Sequence, residues 1–244
     1  MFLKRSQTIS FIQKYSTNYK ISWKATNSVL ANELLLREIL MTAPYVKGRL
    51  LDIGCGEKPY LGIFSGHVAT YTGIDTPQSV HKSDAVDIFA NAHCLPFRRD
   101  SFDTALCLEV LEHVEKPLEV LREIYAVLRK GGVLILSAPQ NYWLHRDPAD
   151  FYRFTQDGLI ELIKKQTGFS IQYVHSLGGT REFLVDFVCK YIQIKINTGT
   201  LGKIMPAILK KFIVVFPQIL YLRLFKNTDV NNLFSLGNIL VAIK

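Results

Sequence analysis

Arg49-Leu50-Leu51-Asp52-Ile53-Gly54-Cys55-Gly56-Glu57 is the stretch whose reading decides the fold. An apolar run ends in an acid, and two glycines follow one residue apart. In a sheet with helices on both faces, a first strand delivers its backbone into a nucleotide site in this way. Lacking a Cβ, the glycines let the chain turn tightly and let a ligand approach the main chain. A Gly-x-Gly after a strand is a weak signal alone, so the weight falls on the segments downstream of it. Tyr71-Thr72-Gly73-Ile74-Asp75 reads as a second strand ending in an acid whose carboxylate can accept from both hydroxyls of a ribose. Ser101 to Glu109 reads as the fourth strand and Val133 to Ser137 as a buried fifth. Between them, Pro117 suits the first turn of a helix. Leu118, Leu121, Tyr125 and Leu128 would form its apolar face, and Gly131-Gly132 would end it.

Two further segments fall in order: Asn91-Ala92-His93-Cys94-Leu95-Pro96-Phe97, and Val110-Leu111-Glu112-His113 directly after the fourth strand. Together these motifs resemble the class I S-adenosylmethionine-dependent methyltransferases, in particular the branch with Leu-Pro-Phe and Glu-His motifs. The resemblance covers about residues 45–178 and resumes at 236–244. It implies an α/β fold with a Rossmann-like, doubly wound, seven-stranded sheet, Ser235 to Ile243 supplying an antiparallel last strand. It also implies S-adenosylmethionine as methyl donor, with Asp52, Gly54, Cys55, Gly56, Asp75, Asn91, Ala92 and Glu109 as the cofactor-binding set. Asn91 stands where the family usually has an Asp that accepts from the adenine amino group; its side-chain carbonyl is still an acceptor. Glu109 is expected to meet the cofactor's ammonium group. Where the family often has a third glycine, this chain has Lys58-Pro59-Tyr60. Pro59 biases Lys58 away from helix, so the next helix should start late or be short. Lys58 and Tyr60 become candidate contacts for the cofactor's carboxylate end.

Methyl transfer from a sulfonium is an in-line displacement. The protein has to hold donor and nucleophile close and often to remove a proton. Glu109-x-x-Glu112-His113 has a spacing similar to that of ubiquinone-pathway O-methyltransferases, where these residues are associated with a divalent metal. Glu112 also has a structural explanation, as a carboxylate opening the next helix, and the spacing by itself assigns no metal here. His145-Arg146-Asp147-Pro148-Ala149-Asp150-Phe151-Tyr152-Arg153-Phe154-Thr155 resembles a segment of methyltransferases in cell-surface glycan biosynthesis. It makes His145 the candidate general base. Asp147 is its candidate catalytic partner, to orient it or bind a sugar hydroxyl, and Asp150 is an alternative for the same work. Tyr152 and Phe154 could stack on a ring. The structural alternative pairs Asp150 with Arg153 and buries the aromatics in the core.

The chain has 244 residues, 48% of them apolar, which is ample for a core. Residues 1–44 read as a basic arm and a lid helix, 45–178 and 235–244 as the methyltransferase core, and 179–234 as a hydrophobic helical insertion before the last strand. Met1 to Asn32 holds five Lys or Arg and no acid, which reads as a solvated basic arm. Cys55, Cys94, Cys107 and Cys189 are scattered without metal spacing, and a reducing cytoplasm is the simplest compartment. The net charge of +8 is not gathered into a basic run, and no nucleic-acid module accompanies it, so no nucleic-acid partner is expected. A base-flipping methyltransferase would often show Asn-Pro-Pro-Tyr or Asp-Pro-Pro-Tyr where this chain has Leu108-Glu109-Val110-Leu111. A nicotinamide dehydrogenase would want a complete Gly-x-Gly-x-x-Gly.

The insertion is dense in aliphatic and aromatic residues, and its longest uncharged run, Phe212 to Leu222, is too short to span a bilayer. Pro206 and Pro217 should break it. It reads either as a packed lid or dimer face, or as an interfacial segment at 201–225 with Lys203, Lys210, Lys211 and Arg223 at headgroup level. The expectation is therefore a cytoplasmic enzyme, with peripheral membrane contact through 201–225 as one reading. It would O-methylate a small, saccharide or lipid-linked acceptor. The alternative is a non-catalytic S-adenosylmethionine-binding regulatory or assembly protein.

Overall fold

A computed structural model describes residues 29–78, 84–145, 149–199, 205–225 and 233–244. The basic arm up to residue 28, Asp147 and Lys203 lie outside them. Helix α1 (Val29–Thr42) leads into β1 (Gly48–Ile53), α2 (Leu61–Phe64), β2 (Val68–Asp75), β3 (Ile88–Phe89) and β4 (Phe102–Leu108). After them come α3 (Pro117–Val127), β5 (Leu128–Pro139), α4 (Gln156–Thr167), β6 (Ser170–Leu177), α5 (Thr180–Thr198), α6 (Ala207–Leu224) and β7 (Gly237–Ile243). The strands form one seven-stranded sheet in the order β3-β2-β1-β4-β5-β7-β6. Strands β1 to β5 run parallel, and β7 pairs antiparallel with both β5 and β6. This is the expected doubly wound sheet with an antiparallel last strand.

Alternation along the buried strands divides the core into two layers. Leu51, Ile53, Ala105, Cys107, Leu134 and Leu136 face α3 and α4. Leu50, Leu106, Leu108, Val133 and Ile135 face the opposite layer, built on α1 and α2. Thr155 caps α4 by accepting from the Gly158 N–H at 3.1 Å, and Gly168 ends it in the left-handed region at φ 75°. The α2 helix has only four residues, as the Lys58-Pro59 sequence predicts.

Several expectations change. The buried face of α3 is Val120, Leu121, Ile124 and Val127, rotated from the Leu118-Leu121-Tyr125-Leu128 stripe. Leu128 opens β5, opposite Phe102, and Gly131-Gly132 lie inside that strand instead of ending the helix. Their irregular backbone bonds to Lys244, with Gly131 N donating to the Lys244 carbonyl at 2.8 Å. Glu112 does not open a helix: it sits in a one-turn 3-10 helix (Leu111–His113), fully buried. Finally, Pro217 does not break α6, which continues through it to Leu224. Missing only its own N–H, a proline inside a helix removes one bond of the ladder, and packing of the helix on its neighbours outweighs that loss.

Helices α5 and α6 pack on each other and on α1. Glu182 holds this unit together. Its carboxylate accepts from Gly179 N at 2.8 Å and from the Tyr221 hydroxyl at 2.7 Å. Buried Gln218 of α6 accepts from Leu30 N at 2.9 Å. Leu177, Gly237 and Pro139 are paired neighbours at the same edge of the sheet where β1, β2 and β4 end. The α5–α6 unit therefore springs from the edge at which ligands bind in such sheets.

Candidate active site

Four strand ends build one wall of the site. β1 ends at Ile53, and Gly54 and Gly56 follow with φ of 70° and 49°, angles that only glycine adopts without cost. A Cβ on Gly54 would lie 2.5 Å from Val110 Cγ2, so glycine is required there for room as well as conformation. β2 ends at Asp75. Its Oδ2 accepts from Gly56 N at 2.9 Å and its Oδ1 from Thr76 N at 2.7 Å. The carboxylate is thus locked to the glycine turn, and each oxygen keeps a lone pair for a further donor. Beyond β4, Glu109 takes φ 55°, a left-handed backbone that a non-glycine residue holds only under constraint. The constraint is visible: Ser137, within the buried run of β5, donates its hydroxyl to Glu109 Oε1 at 2.7 Å. Burial pushes the Glu109 carboxyl up to about 6, against the opposing pull of Ser137 and of the Arg153 charge.

The structure brings Asp52, Gly54, Cys55, Gly56, Asp75 and Glu109 to this edge, with partners the sequence reading missed. Tyr71 O–H donates to Asp52 Oδ2 at 2.5 Å, and burial pushes the Asp52 carboxyl up to about 7. Burial also raises the Cys55 thiol to about 12, so Cys55 is a packed thiol and not a nucleophile. Lys58 is engaged within the protein. Its ammonium pairs with Asp87 Oδ2 at 2.5 Å, and the same oxygen accepts from Gly73 N at 2.7 Å. A Cβ on Gly73 would lie 2.4 Å from Lys58 Cε, so that glycine gives the lysine its passage. Tyr60 is packed on the α1–α2 layer. Asn91 Oδ1 is engaged locally, accepting from His93 N at 2.9 Å and facing His93 Nδ1 at 2.8 Å. Ala92 packs against the core beside it.

The second wall is the segment after β5. His145 N–H donates to Asp150 Oδ2 at 2.9 Å, and Asp150 forms a two-point ion pair with Arg153. That pair holds the Asp150 carboxyl down at about 2. Arg153 also donates to the carbonyls of Tyr142 and Trp143, so it stitches the loop to itself. The structural alternative for Asp150 and Arg153 is the one realised. His145 Nδ1 lies 3.2 Å from the Trp143 carbonyl, which can only accept. In the neutral ring Nδ1 therefore carries the proton and Nε2 keeps a lone pair. Burial holds the His145 pKa below its ordinary value, favouring that neutral form.

His145 packs edge-to-face on His113, with ring centroids 4.9 Å apart, and on Tyr142 at 5.1 Å. His113 Nδ1 lies 2.5 Å from the Ala149 carbonyl, and its Nε2 is 3.6 Å from Glu112 Oε1. Among the described residues, neither oxygen of fully buried Glu112 has a hydrogen-bond partner. Burial, then the nearby Glu109 charge, pushes the Glu112 carboxyl well above its ordinary range. One ligand atom each from Glu112, His113 and His145 lies within 4.8 Å of the others. Lone pairs converge there with no donor among them, an arrangement that a proton or a divalent cation satisfies. Glu109 does not join this group, because it is turned onto Ser137.

A third group reaches the same loop from the insertion. Lys190 and Asp186 of α5 form a buried ion pair at 2.6 Å, and the ammonium lies 3.6 Å from the centroid of the Tyr142 ring. Nothing in the sequence links residue 190 to residue 142; only the packing of α5 over the loop does.

A family described as a methyltransferase domain matches residues 28–172. O-methyltransferase rstn1 of Aspergillus nomiae is 36% identical over 122 residues, 44% of this chain and 54% of that protein. The ubiquinone biosynthesis O-methyltransferase of Ruegeria pomeroyi is 29% identical over 156 residues, 53% of this chain and 63% of that protein. The chain thus spans between about half and two thirds of the length of these relatives. Among solved structures, the [4+2]-cyclase SpnF is similar with a TM-score of 0.58 and 19% identity, over 98% of this chain and 94% of that one. A methyltransferase from Archaeoglobus fulgidus, described as dependent on S-adenosylmethionine, is similar at 0.54 and 16%, over 94% and 100%. At such identities these structures share the fold and no more. The domain match covers more than half of the 244 residues and coincides with the glycine turn, Asp75 and Glu109, and the chain belongs to the class I S-adenosylmethionine-dependent methyltransferase family.

Proposed function

We propose that this chain transfers a methyl group from S-adenosylmethionine to an oxygen of a small, saccharide or lipid-linked acceptor, with His145 as the general base. The observation that carries the reading is the state of His145. Its Nδ1 is committed to the Trp143 carbonyl, burial favours the neutral ring, and Nε2 is left with a lone pair. Bound S-adenosylmethionine supplies a methyl already activated on a sulfonium, so the protein needs no covalent intermediate. The residues that would hold it are the glycine turn at Gly54 and Gly56, with Cys55 between them, and Asp75 for the ribose. Glu109 would hold the ammonium group, and Asn91-Ala92 would flank the adenine. Asp52, held by the Tyr71 hydroxyl, would complete this set. His145 would take the acceptor's hydroxyl proton at Nε2 as the oxygen becomes nucleophilic, a step for which a neutral imidazole is suited at neutral pH. Asp150 positions the His145 backbone, and Asp147 is proposed as a second polar group of the same loop. Glu112 and His113 border His145 and are placed to take up charge beside it. The enzyme is proposed to work in the cytoplasm, peripherally at a membrane when its acceptor is lipid-linked.

The test is incubation of the full chain with a labelled methyl donor and candidate acceptors, glycan precursors and lipid extracts first, followed by intact-mass analysis. His145→Ala is expected to lower turnover by about 100-fold or more while leaving S-adenosylmethionine affinity nearly unchanged. Unchanged turnover would make His145 structural. Cofactor binding without transfer to any acceptor would favour the non-catalytic, regulatory or assembly alternative.

A further inference from the structure

Helices α5 and α6 are each two-faced. The inner side of α5 carries the buried Glu182, Asp186, Cys189 and Lys190, and that of α6 carries Val214, Val215 and Gln218. Their outer sides expose large apolar residues at helical spacing: Phe187, Tyr191 and Ile194 on α5, and Leu209, Phe212 and Phe216 on α6. Phe212 and Phe216 stack with centroids 4.7 Å apart and still remain about half exposed. The lid and the interfacial reading of this segment are thus two sides of the same helices. One side is a lid on α1 and on the loop that carries His145. The other is a face of six large apolar side chains left exposed.

The charges around that surface select what covers it. From Phe187 to Thr228 the sequence contains no Asp or Glu. The two acids earlier in α5, Glu182 and Asp186, are buried and already bonded. Lys195 and Arg223 are exposed on the two helices, and Lys210 is partly so. A second copy of the chain would set this basic rim against its own like and offer it no acid. An anionic bilayer offers headgroups to the cations and acyl chains to the rings. None of the described helices is long and apolar enough to cross a membrane, and the buried polar groups tie the inner faces to the protein. The helices therefore lie along a surface.

We infer that the outer faces of α5 and α6 form a docking surface for an anionic lipid bilayer, which holds the active-site edge of the sheet at the membrane. This deepens the proposed function and rests on it for its purpose, because a lipid-linked acceptor would then reach His145 from the bilayer. The surface differs from the one expected at 201–225, since α5 contributes as much of it as α6.

The test is co-sedimentation of the full chain with vesicles of phosphatidylcholine alone or mixed with phosphatidylglycerol, at low and physiological salt. Binding to the anionic vesicles only, weakened by salt, is expected. Lys195→Glu with Arg223→Glu should lower binding at least about tenfold. Phe212→Ser with Phe216→Ser should abolish it, and S-adenosylmethionine affinity measured by calorimetry should stay unchanged in both variants. Absence of wild-type binding at low salt overturns the inference. So does equal binding by the variants, or a concentration-dependent dimer that the Phe212→Ser, Phe216→Ser variant dissociates. Transfer to a detergent-dispersed, lipid-linked acceptor without vesicle binding would remove this surface and leave the proposed function standing. Vesicle binding without transfer to any acceptor would do the reverse.

Discussion

The two walls of the site are held by different means. On the cofactor side, Gly54, Asp75 and Glu109 sit at strand ends, and their positions follow from the sheet. The turn bonds that fix them run between neighbouring strands, as from Gly56 N to Asp75 and from Ser137 to Glu109. On the opposite wall, His145 lies on an irregular loop. Its place is set by Asp150, by the rings of His113 and Tyr142, and by a lysine from an inserted helix. The first wall is a property of the fold. The second depends on loop and inserted-helix packing that strand order does not dictate.

The contrast can be broken where it is sharpest. Lys190→Met leaves the Asp186 carboxylate buried without its partner, and removing one member of a buried pair costs about 3–5 kcal/mol. Chemical denaturation should show that loss, and the Asp186→Leu, Lys190→Met double variant should recover most of it. If the single variant is as stable as wild type, α5 does not pin the loop. On the cofactor side the expected effect is smaller and confined to binding. Asp75→Ala should weaken S-adenosylmethionine by about 1–3 kcal/mol, the scale for hydrogen bonds to a charged group. Unchanged affinity by calorimetry would show that Asp75 serves only the Gly56 turn.

The smallest effect tests how firmly α1 is docked on the sheet. Glu38 of α1 accepts from the Tyr173 hydroxyl at 2.7 Å and pairs with His175 Nδ1 at 3.1 Å, which raises the His175 pKa. The folded state thus binds this proton more tightly than the unfolded one. The contribution is fully present below the unfolded value of about 6.5 and is lost as the pH rises through the higher folded value. Because the pair is half exposed, the stability gap between wild type and His175→Gln should be about 0.5 kcal/mol near pH 6 and vanish by about pH 9. A gap that persists at the alkaline end would assign the contact to packing.

The legibility of the sequence follows the same division. Asp52, Gly54, Gly56, Asp75 and Glu109 could be read because each ends or follows a strand whose apolar run marks it. Ser137 was readable in principle, as a polar residue inside a buried strand, opposite Leu108. Tyr71 and Asp87 were harder, since their roles depend on which neighbour the parallel register supplies. The phase of α3 was misread because Leu128 suits a helix and a buried strand equally, and only its pairing with Phe102 decides. His113 and His145, and Lys190 and Tyr142, meet through tertiary packing. No spacing in the sequence encodes those contacts, just as apolar periodicity in α6 could not say which side would remain uncovered.

The placement of β7 has a consequence for how this chain acquires its shape. β6 touches the sheet only through β7, and the whole α5–α6 unit lies between them in sequence. Closing so long a connection costs about 2 kcal/mol more chain entropy than a tight hairpin would. During synthesis, β6 and the exposed rings of α5 and α6 emerge before the strand that anchors them, and they wait as sticky, unfinished surface. Under the proposed docking of these helices, an anionic bilayer would meet those rings first during assembly, ahead of any turnover.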